Sequence, residues 1–409
     1  MLADLKSTRY PVEVGLLVAI AFFLPLLEAP KNVAWLGFAA AWLWNRFRAR
    51  DFGGRWDLWD TLIAAWIASA YLVAAFAPIP YQEWKGANDV LRYASILWMV
   101  KRGGYGPGAI GMVLFALLIS TLASLALGWW RHMTVPWTAI QLKSVGHVNH
   151  SAIYLAIVFG FASAWLFAHW KAWNAARRVA ALTAWVLMVA SLVTMASRGA
   201  AAAAFALVLV LAVAWWPRWR APLVAGVAAI VAAFALAVAM DAELIAKHQR
   251  VSAHDDVLNA RDRVWNMGFV AWERYPWFGV GISNYSVISL ERVQEWRKLA
   301  GKPFDPKQYA GTNHAHSLYV NTLAERGIIG ALALLAVLLA WAAWLVRHRP
   351  RAPDGDLDWV LWGGALSAWT ITASVGLVNT TLHHEHGILA TLLLGLWLTN
   401  LPRQPHRAS

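Results

Sequence analysis

The sequence has 409 residues, of which 60% are hydrophobic and 14% charged, with a formal net charge of +13 and no cysteine. Soluble domains are about 45–50% apolar and about 25% charged. Here the apolar residues stand in long blocks, many of them close to the length of about 20 residues that a helix needs to cross a bilayer. The composition predicts a polytopic membrane protein and excludes a soluble enzyme, a nucleic-acid-binding module and a disordered chain. Without cysteine, disulfides and cysteine nucleophiles are also excluded.

In chain order, twelve apolar segments predict an all-α protein with about twelve transmembrane helices. A backbone in lipid must satisfy its own hydrogen bonds, so runs of this length predict helices rather than barrel strands. We expect nine helices within residues 1–240, a large loop with short helices at 241–315, and three helices and a tail within 316–409. The predicted segments are 11–28, 32–46, 58–78, 88–101, 106–130, 150–168, 179–196, 199–216, 221–240, 317–346, 358–381 and 386–401.

The basic residues are distributed unequally between the two sides of these segments. With the N-terminus in the cytoplasm, eighteen Lys and Arg residues fall at inside ends and five fall in short outside loops. This is the asymmetry of the positive-inside rule. It predicts that both termini are cytoplasmic and that the large loop is periplasmic. It also accounts for most of the basic charge without any nucleic acid.

The large loop at 241–315 is nearly neutral, with ten Lys or Arg and nine Asp or Glu residues. Loops of this length are usually functional. An apolar repeat from Val264 to Trp272 predicts a short helix that ends before Pro276. The stretch Ile288–Leu299 predicts a second, amphipathic helix that lies on the membrane or on the helix bundle.

Arg198 stands in a turn of about three residues between two strongly apolar segments. One interpretation is an arginine that extends its charge from a helix end to the interface. However, the topology puts it on the outer face, where arginine is disfavoured. A charge at a costly position usually has a partner, so Arg198 is a candidate for binding an anion.

Two further arginines, Arg261 and Arg263, open the helical part of the large loop. On one interpretation they pair with Asp255, Asp256 or Asp262 on a solvated face. On the other they belong to a functional site on the same outer face as Arg198. The sequence alone leaves both interpretations open.

His316 stands where the large loop re-enters the membrane, at the start of a long apolar segment. A helix N-terminus and nearby arginines favour the neutral imidazole, which is the form that a general base needs. A bound polyphosphate would act in the opposite direction. A solvated loop histidine is the alternative interpretation.

Other polar residues predict structural roles. The cluster His383–His386 predicts a solvated loop, with adventitious metal binding as the alternative. Glu325 and Arg326 lie inside the tenth segment and are expected to pair within the bundle, because unpaired charges there are expensive. Asn149 and His150, at the start of the sixth segment, are expected to cap and pack.

Together these motifs resemble the bacterial O-antigen ligases. The closest signature is His316-Ser317 followed, after nine residues, by Gly327-Ile328-Ile329-Gly330. The similarity extends from about residue 140 to 335, within a superfamily that includes O-antigen polymerases and protein O-oligosaccharyltransferases. One departure is Ala202, where some ligases carry leucine four residues after the first arginine. The other similar segments are Arg261-x-x-x-Trp265, Pro276–Tyr285, Ser197–Gly199 and Gly146–His150.

The resemblance implies an enzyme of the bacterial inner membrane with a GT-C-like fold and a periplasmic active site. Such enzymes transfer preassembled O-antigen from undecaprenyl diphosphate to a sugar hydroxyl of lipid A-core, with inversion and without a nucleotide sugar, cofactor or metal. The expected partners are this donor, this acceptor and membrane lipids. The resemblance implies that Arg198 and Arg261 bind the diphosphate, that His316 is the catalytic base, and that Arg263, His314 and Lys85 assist.

Two other functions stay open at this point. A polymerase would use the same chemistry with a second lipid-linked repeat as acceptor, and the signature around His316 favours the ligase. A flippase or transporter would need a polar path through the membrane. The predicted spans are almost uncharged and the candidate groups cluster at one face, which argues against transport.

Overall fold

The computed structural model describes residues 8–135, 138–195, 197–215, 261–350 and 356–401. These residues form thirteen α-helices and two short 3₁₀ turns, and they contain no β-strand. The helices are α1 (Pro11–Phe23), α2 (Glu28–Ala49), α3 (Leu58–Ala75), α4 (Glu83–Lys101), α5 (Pro107–Thr134), α6 (Val148–His169), α7 (Ala175–Thr194), α8 (Arg198–Trp215), α9 (Arg261–Arg274), α10 (Leu290–Leu299), α11 (Leu318–Arg347), α12 (Asp356–Val375) and α13 (His384–Asn400).

Eleven of the twelve predicted segments coincide with these helices, and the segment 221–240 lies outside the described residues. The two short segments belong to longer helices, since α2 has 22 residues and α4 has 19. Among the described helices, α3, α5, α6, α7, α8 and α11 are long and apolar enough to cross a membrane. The structure agrees with an all-α, multi-pass membrane protein. The count of twelve spans and the boundaries at 240 and 315 stay predictions.

The centre of the bundle is formed by α6, α12 and α13. Helix α6 packs against α8 and α12, while α13 packs against α4 and α12. Small residues let these helices approach closely, as they do in membrane bundles generally. A Cβ atom added at Gly160 of α6 would lie 2.4 Å from Ser367 Oγ, and one added at Gly363 of α12 would lie 2.4 Å from the Cβ atom of Ala164. Close packing of α6 on α12 therefore depends on these glycines.

Helix α11 is broken at Gly327, which has φ 57° and ψ −159°. The break frees backbone groups that a membrane protein must satisfy internally. The segment from Pro276 to Gly281 supplies the partners: its Val280 N–H donates to the Ala324 carbonyl (2.9 Å), and the Ile328 N–H of α11 donates back to the Pro276 carbonyl (2.8 Å). The loop and the transmembrane helix are thus joined by their backbones.

Two glycines allow this close approach. A Cβ atom at Gly327 would lie 2.4 Å from the Trp277 backbone, and one at Gly279 would lie 2.4 Å from the Glu325 backbone. Both glycines also have positive φ, which side chains disfavour. The glycines of the two sequence motifs are therefore explained by one contact between the loop and α11.

The described part of the large loop has a core of its own, packed on the first turns of α11. Helix α9 ends at Arg274, before Pro276, and α10 begins at Leu290, so both predicted loop helices are confirmed. The Tyr285 hydroxyl donates to the Val264 carbonyl (2.7 Å). The core residues are Val264, Met267, Val270, Ala271, Val280, Tyr285, Ile288, Val293, Trp296, Tyr309, Ala315, Val320 and Ala324.

Glu325 and Arg326 are buried at the break in α11 but do not form an ion pair with each other or with another described residue. The Glu325 carboxylate accepts a hydrogen bond from the Tyr285 backbone N–H (3.0 Å). The Arg326 guanidinium donates to Ser69 Oγ of α3 (2.8 Å). The predicted pairing within the bundle is therefore made with neutral groups.

Candidate active site at the junction of the loop and helix α11

His316 is held in place by hydrogen bonds to the residue before it. The Trp265 indole N–H of α9 donates to the Ala315 carbonyl (3.0 Å), and the Asn321 side chain of α11 accepts from the Ala315 N–H (2.9 Å). The peptide groups on both sides of Ala315 are thus fixed by two helices. Because Trp265 lies one turn after Arg261 on α9, the Arg-x-x-x-Trp motif directs both side chains to the same face.

The residues after His316 are fixed by the connection between α12 and α13. Ser317 caps α11 by accepting from the Val320 N–H (3.4 Å), and the Leu318 N–H donates to the Gly376 carbonyl (2.8 Å). His316 itself has φ 50°, an uncommon conformation for a residue with a side chain. Such strained residues persist where the surroundings fix them, and they cluster at functional sites.

Arg261 lies within electrostatic reach of this histidine, and Arg198 within reach of Arg261, each at the N-terminus of a helix. Arg198 is the exposed first residue of α8. Arg261 is the half-buried first residue of α9. Neither forms an ion pair with a carboxylate of the described residues. The interpretation that Arg261 pairs with Asp255 or Asp256 falls on residues outside the described ranges. The structure thus brings together two cations without a described carboxylate partner.

Burial and neighbouring cations shift the pKa values of the residues at this site. Burial, followed by the positive charge of Arg198, lowers the pKa of the Arg261 guanidinium. Burial, followed by the positive charge of Arg261 and then by His147, lowers the pKa of His316. The imidazole of His316 is therefore neutral at neutral pH and able to accept a proton.

His314 lies beside His316, with ring centroids 4.3 Å apart. Burial is the main cause that lowers the pKa of His314 to about 4, with a smaller contribution from His316. A neutral ring at this distance adds no positive charge to the site. Its position agrees with the predicted assisting role, which stays a prediction.

The site continues into a cluster of histidines that the sequence did not predict. The ring of His150, in the first turn of α6, lies about 5–6 Å from several neighbouring imidazoles. Among the described residues, no group of three or more potential ligands is arranged to hold a metal ion. The neighbouring rings, with centroid separations from His150, are His147 at 6.0 Å, His314 at 6.2 Å, His383 at 5.9 Å, His384 at 5.8 Å and His386 at 5.3 Å.

The prediction of a solvated loop at His383–His386 is wrong. Glu385 and His386 are buried in the first turn of α13. Glu385 forms a buried ion pair with Lys31 of α2. His386 shares a hydrogen bond with His150 (3.0 Å). The sequence analysis failed because the partners of this segment lie more than 200 residues away in the chain.

Two predicted assisting residues lie apart from the cluster. Arg263 is exposed, because a position two residues from Arg261 points to a different face of α9. Lys85 is exposed in the first turn of α4. The part of the chain that the structure describes gives neither side chain a contact with Arg198, Arg261 or His316. Their assisting roles stay predictions.

Comparison with known families agrees with the motifs. Residues 182–335 match the family model described as O-antigen ligase. This segment, a little over a third of the chain, is similar to the O-antigen ligase superfamily. The segment contains Arg198, Arg261 and His316, whereas His150 and the rest of Gly146–His150 precede it. No curated protein matches the chain.

Members of this superfamily are glycosyltransferase-like membrane enzymes that act on lipid-linked glycans. The similarity agrees with the long apolar helices of this chain. Sequence reasoning named Trp265 and His150 within similar segments but gave neither a role at the site, and it did not single out Asn321. Their contacts join residues that lie apart in the sequence, except for the Asn321 bond to Ala315.

Proposed function

We propose that the protein is an O-antigen ligase of the bacterial inner membrane, with both termini in the cytoplasm and its active site on the periplasmic side. It transfers preassembled O-antigen from undecaprenyl diphosphate to a sugar hydroxyl of lipid A-core. The observation that carries this proposal is a neutral His316 near Arg261, which in turn lies near Arg198, with no carboxylate partner for either arginine among the described residues. A base next to a cationic pair is what glycosyl transfer from a diphosphate needs.

In the proposed reaction, His316 removes the proton from the acceptor hydroxyl. The resulting oxygen attacks the anomeric carbon of the donor as the bond from that carbon to the diphosphate oxygen breaks. Undecaprenyl diphosphate leaves with the electron pair, and the configuration at the anomeric carbon inverts. Arg198 and Arg261 stabilise the negative charge that develops on the diphosphate.

The diphosphate also explains how two neighbouring arginines are accommodated. Burial is the main cause that lowers the pKa of Arg261, and the positive charge of Arg198 lowers it further, so the two cations repel each other in the protein alone. A bound diphosphate reverses this interaction, because planar guanidinium groups can bind phosphate oxygens through paired hydrogen bonds. The site therefore favours a substrate that carries several negative charges.

The test is reconstitution of the purified protein with lipid A-core and an undecaprenyl-diphosphate-linked glycan, without nucleotides. We expect glycan on lipid A-core with the wild-type protein. Arg198→Ala, Arg261→Ala and His316→Ala should each lower kcat by about 10²–10³-fold. Full activity of any of these three variants would overturn that residue's assignment.

Arg274→Ala is the matched control. Arg274 is an exposed arginine at the other end of α9 from Arg261. Its removal changes the charge of the loop by the same amount without touching the site, so we expect activity within about twofold of wild type. A comparable loss in this variant would show that the net charge of the loop, rather than Arg261 itself, determines activity.

The same experiment separates the ligase from the polymerase. Glycan attached to lipid A-core supports the ligase. A longer lipid-linked glycan, formed from two donor molecules, would show that the protein is a polymerase. The absence of both products would overturn the enzymatic proposal.

A further inference from the structure

His150 stands at the middle of the histidine cluster, and its hydrogen bonds fix which nitrogen carries its proton. The His383 backbone N–H donates to Nδ1 of His386 (3.4 Å). Because a backbone amide can only donate, Nδ1 of His386 is the acceptor, and the proton of a neutral His386 must be on Nε2. The first bond thus determines the tautomer of His386.

The second hydrogen bond determines which nitrogen of His150 carries the proton. Nε2 of His386 lies 3.0 Å from Nδ1 of His150. With the proton of His386 on Nε2, His386 donates and Nδ1 of His150 accepts. The proton of a neutral His150 is therefore on its Nε2. Water does not compete for these hydrogen bonds, because His386 is only 1% exposed.

The Nε2–H group of His150 has no hydrogen-bond partner among the described residues. The rings of His314, His147 and His384 lie 5.8–6.2 Å from the ring of His150 between centroids, which is the separation of rings in contact. The His314 ring in turn lies 4.3 Å from that of His316. The His150 donor therefore belongs to the same cluster of imidazoles as the proposed base.

The direction of the reaction assigns the histidine cluster to one substrate. In an inverting displacement, the attacking and leaving oxygens lie on opposite sides of the anomeric carbon. With the diphosphate on Arg198 and Arg261, the acceptor sugar lies on the side of His316 away from them. Among the described residues, His150 contacts imidazoles and makes no contact with either arginine.

We propose that His150 is an acceptor-binding residue, which donates a hydrogen bond from Nε2 to an oxygen of the acceptor sugar. This inference rests on the proposed function. His386 and the His383 backbone act as positioning groups, because they keep the proton of His150 on the nitrogen that faces the substrate. The role differs from the capping and packing expected from the sequence.

The test measures KM for each substrate separately with the full-length protein in lipid nanodiscs. His150→Phe keeps a flat ring but removes the donor, so we expect the KM for lipid A-core to rise about tenfold while the KM for the lipid-linked donor stays within about twofold. His150→Gln carries an N–H group at a similar reach, and it should recover most of the lost affinity. His169→Phe, at the opposite end of α6, is the matched control, with both KM values unchanged.

A second measurement needs no substrate. The ¹⁵N chemical shifts of histidine-labelled protein should show His150 protonated on Nε2 and unprotonated on Nδ1. A proton on Nδ1 would overturn the inference. A change in the donor KM alone, an unchanged acceptor KM, or a Gln variant as impaired as the Phe variant would also overturn it.

If the wild-type protein forms no product on lipid A-core, the proposed function fails, and the assignment of His150 to the acceptor fails with it. Product with an unchanged acceptor KM overturns the His150 inference alone.

Discussion

Arginines at two places in this protein have opposite surroundings. Arg102, at the C-terminal end of α4, is buried and bonds Asp60 through two nitrogens (2.8 and 2.7 Å). Arg46, near the end of α2, pairs with the buried carboxylate of Glu13. Arg261, by contrast, has a cation and histidines for neighbours. Paired arginines fix a structure, whereas an arginine whose neighbours are cations is suited to an anion that is absent until substrate binds.

The largest effect is expected when a buried arginine loses its carboxylate partner. Asp60→Ala leaves Arg102 buried without its carboxylate, and we expect a loss of about 3–5 kcal/mol in the free energy of unfolding. Thermal unfolding of the purified protein in detergent measures this loss of stability. Lys302→Ala breaks the exposed pair with Glu273 and should cost less than about 1 kcal/mol. Equal losses in the two variants would show that burial does not distinguish these pairs.

The next effect concerns Arg261, the cation that has no carboxylate partner within the described ranges. Arg261→Gln should lower kcat by about 10²–10³-fold and leave the unfolding temperature unchanged or raised, since it removes the repulsion with Arg198. Activity and thermal unfolding of the same preparation measure both. A variant that unfolds as readily as Asp60→Ala would place Arg261 among the structural arginines.

A smaller effect tests how His316 is positioned. Trp265→Phe keeps an aromatic ring and removes the N–H that bonds the Ala315 carbonyl, so we expect a five- to tenfold fall in kcat, corresponding to about 1 kcal/mol. Trp272 lies on the same helix, and its indole N–H is buried with no hydrogen-bond partner in the part of the chain that the structure describes. Trp272→Phe is therefore the control, with unchanged kcat. Equal losses would mean that the ring, rather than its hydrogen bond, positions His316.

The smallest effect is a shift in pH dependence. Because burial and Arg261 lower the pKa of His316 below its ordinary value of 6.5, kcat/KM for the free enzyme should fall only below pH 6.5. A bound diphosphate favours the protonated imidazole, so the acid limb of kcat should lie about one pH unit higher. Removing the charge in Arg261→Gln raises the pKa and moves the kcat/KM limb upward. An acid limb independent of that substitution would separate His316 from Arg261.

Much of the fold was predictable because it depends on local patterns. Apolar blocks of sufficient length form helices in lipid wherever they occur, so eleven predicted segments coincide with described helices. The loop helix that ends before Pro276 was predictable from spacing and from proline. The three principal site residues lie within the segment 182–335 that matches the O-antigen ligase family model. Their individual roles stay proposals.

The sequence by itself determined that this is a helical membrane protein with a segment similar to the O-antigen ligases, because hydrophobicity and motif spacing are properties of neighbouring residues. Only the tertiary structure decided which charges are paired. Nothing local distinguishes Arg102, bound to Asp60 some 42 positions away, from Arg261. Likewise, His150 and His386 lie 236 positions apart. Their contact depends on how α6 and α13 pack, which no short sequence pattern encodes.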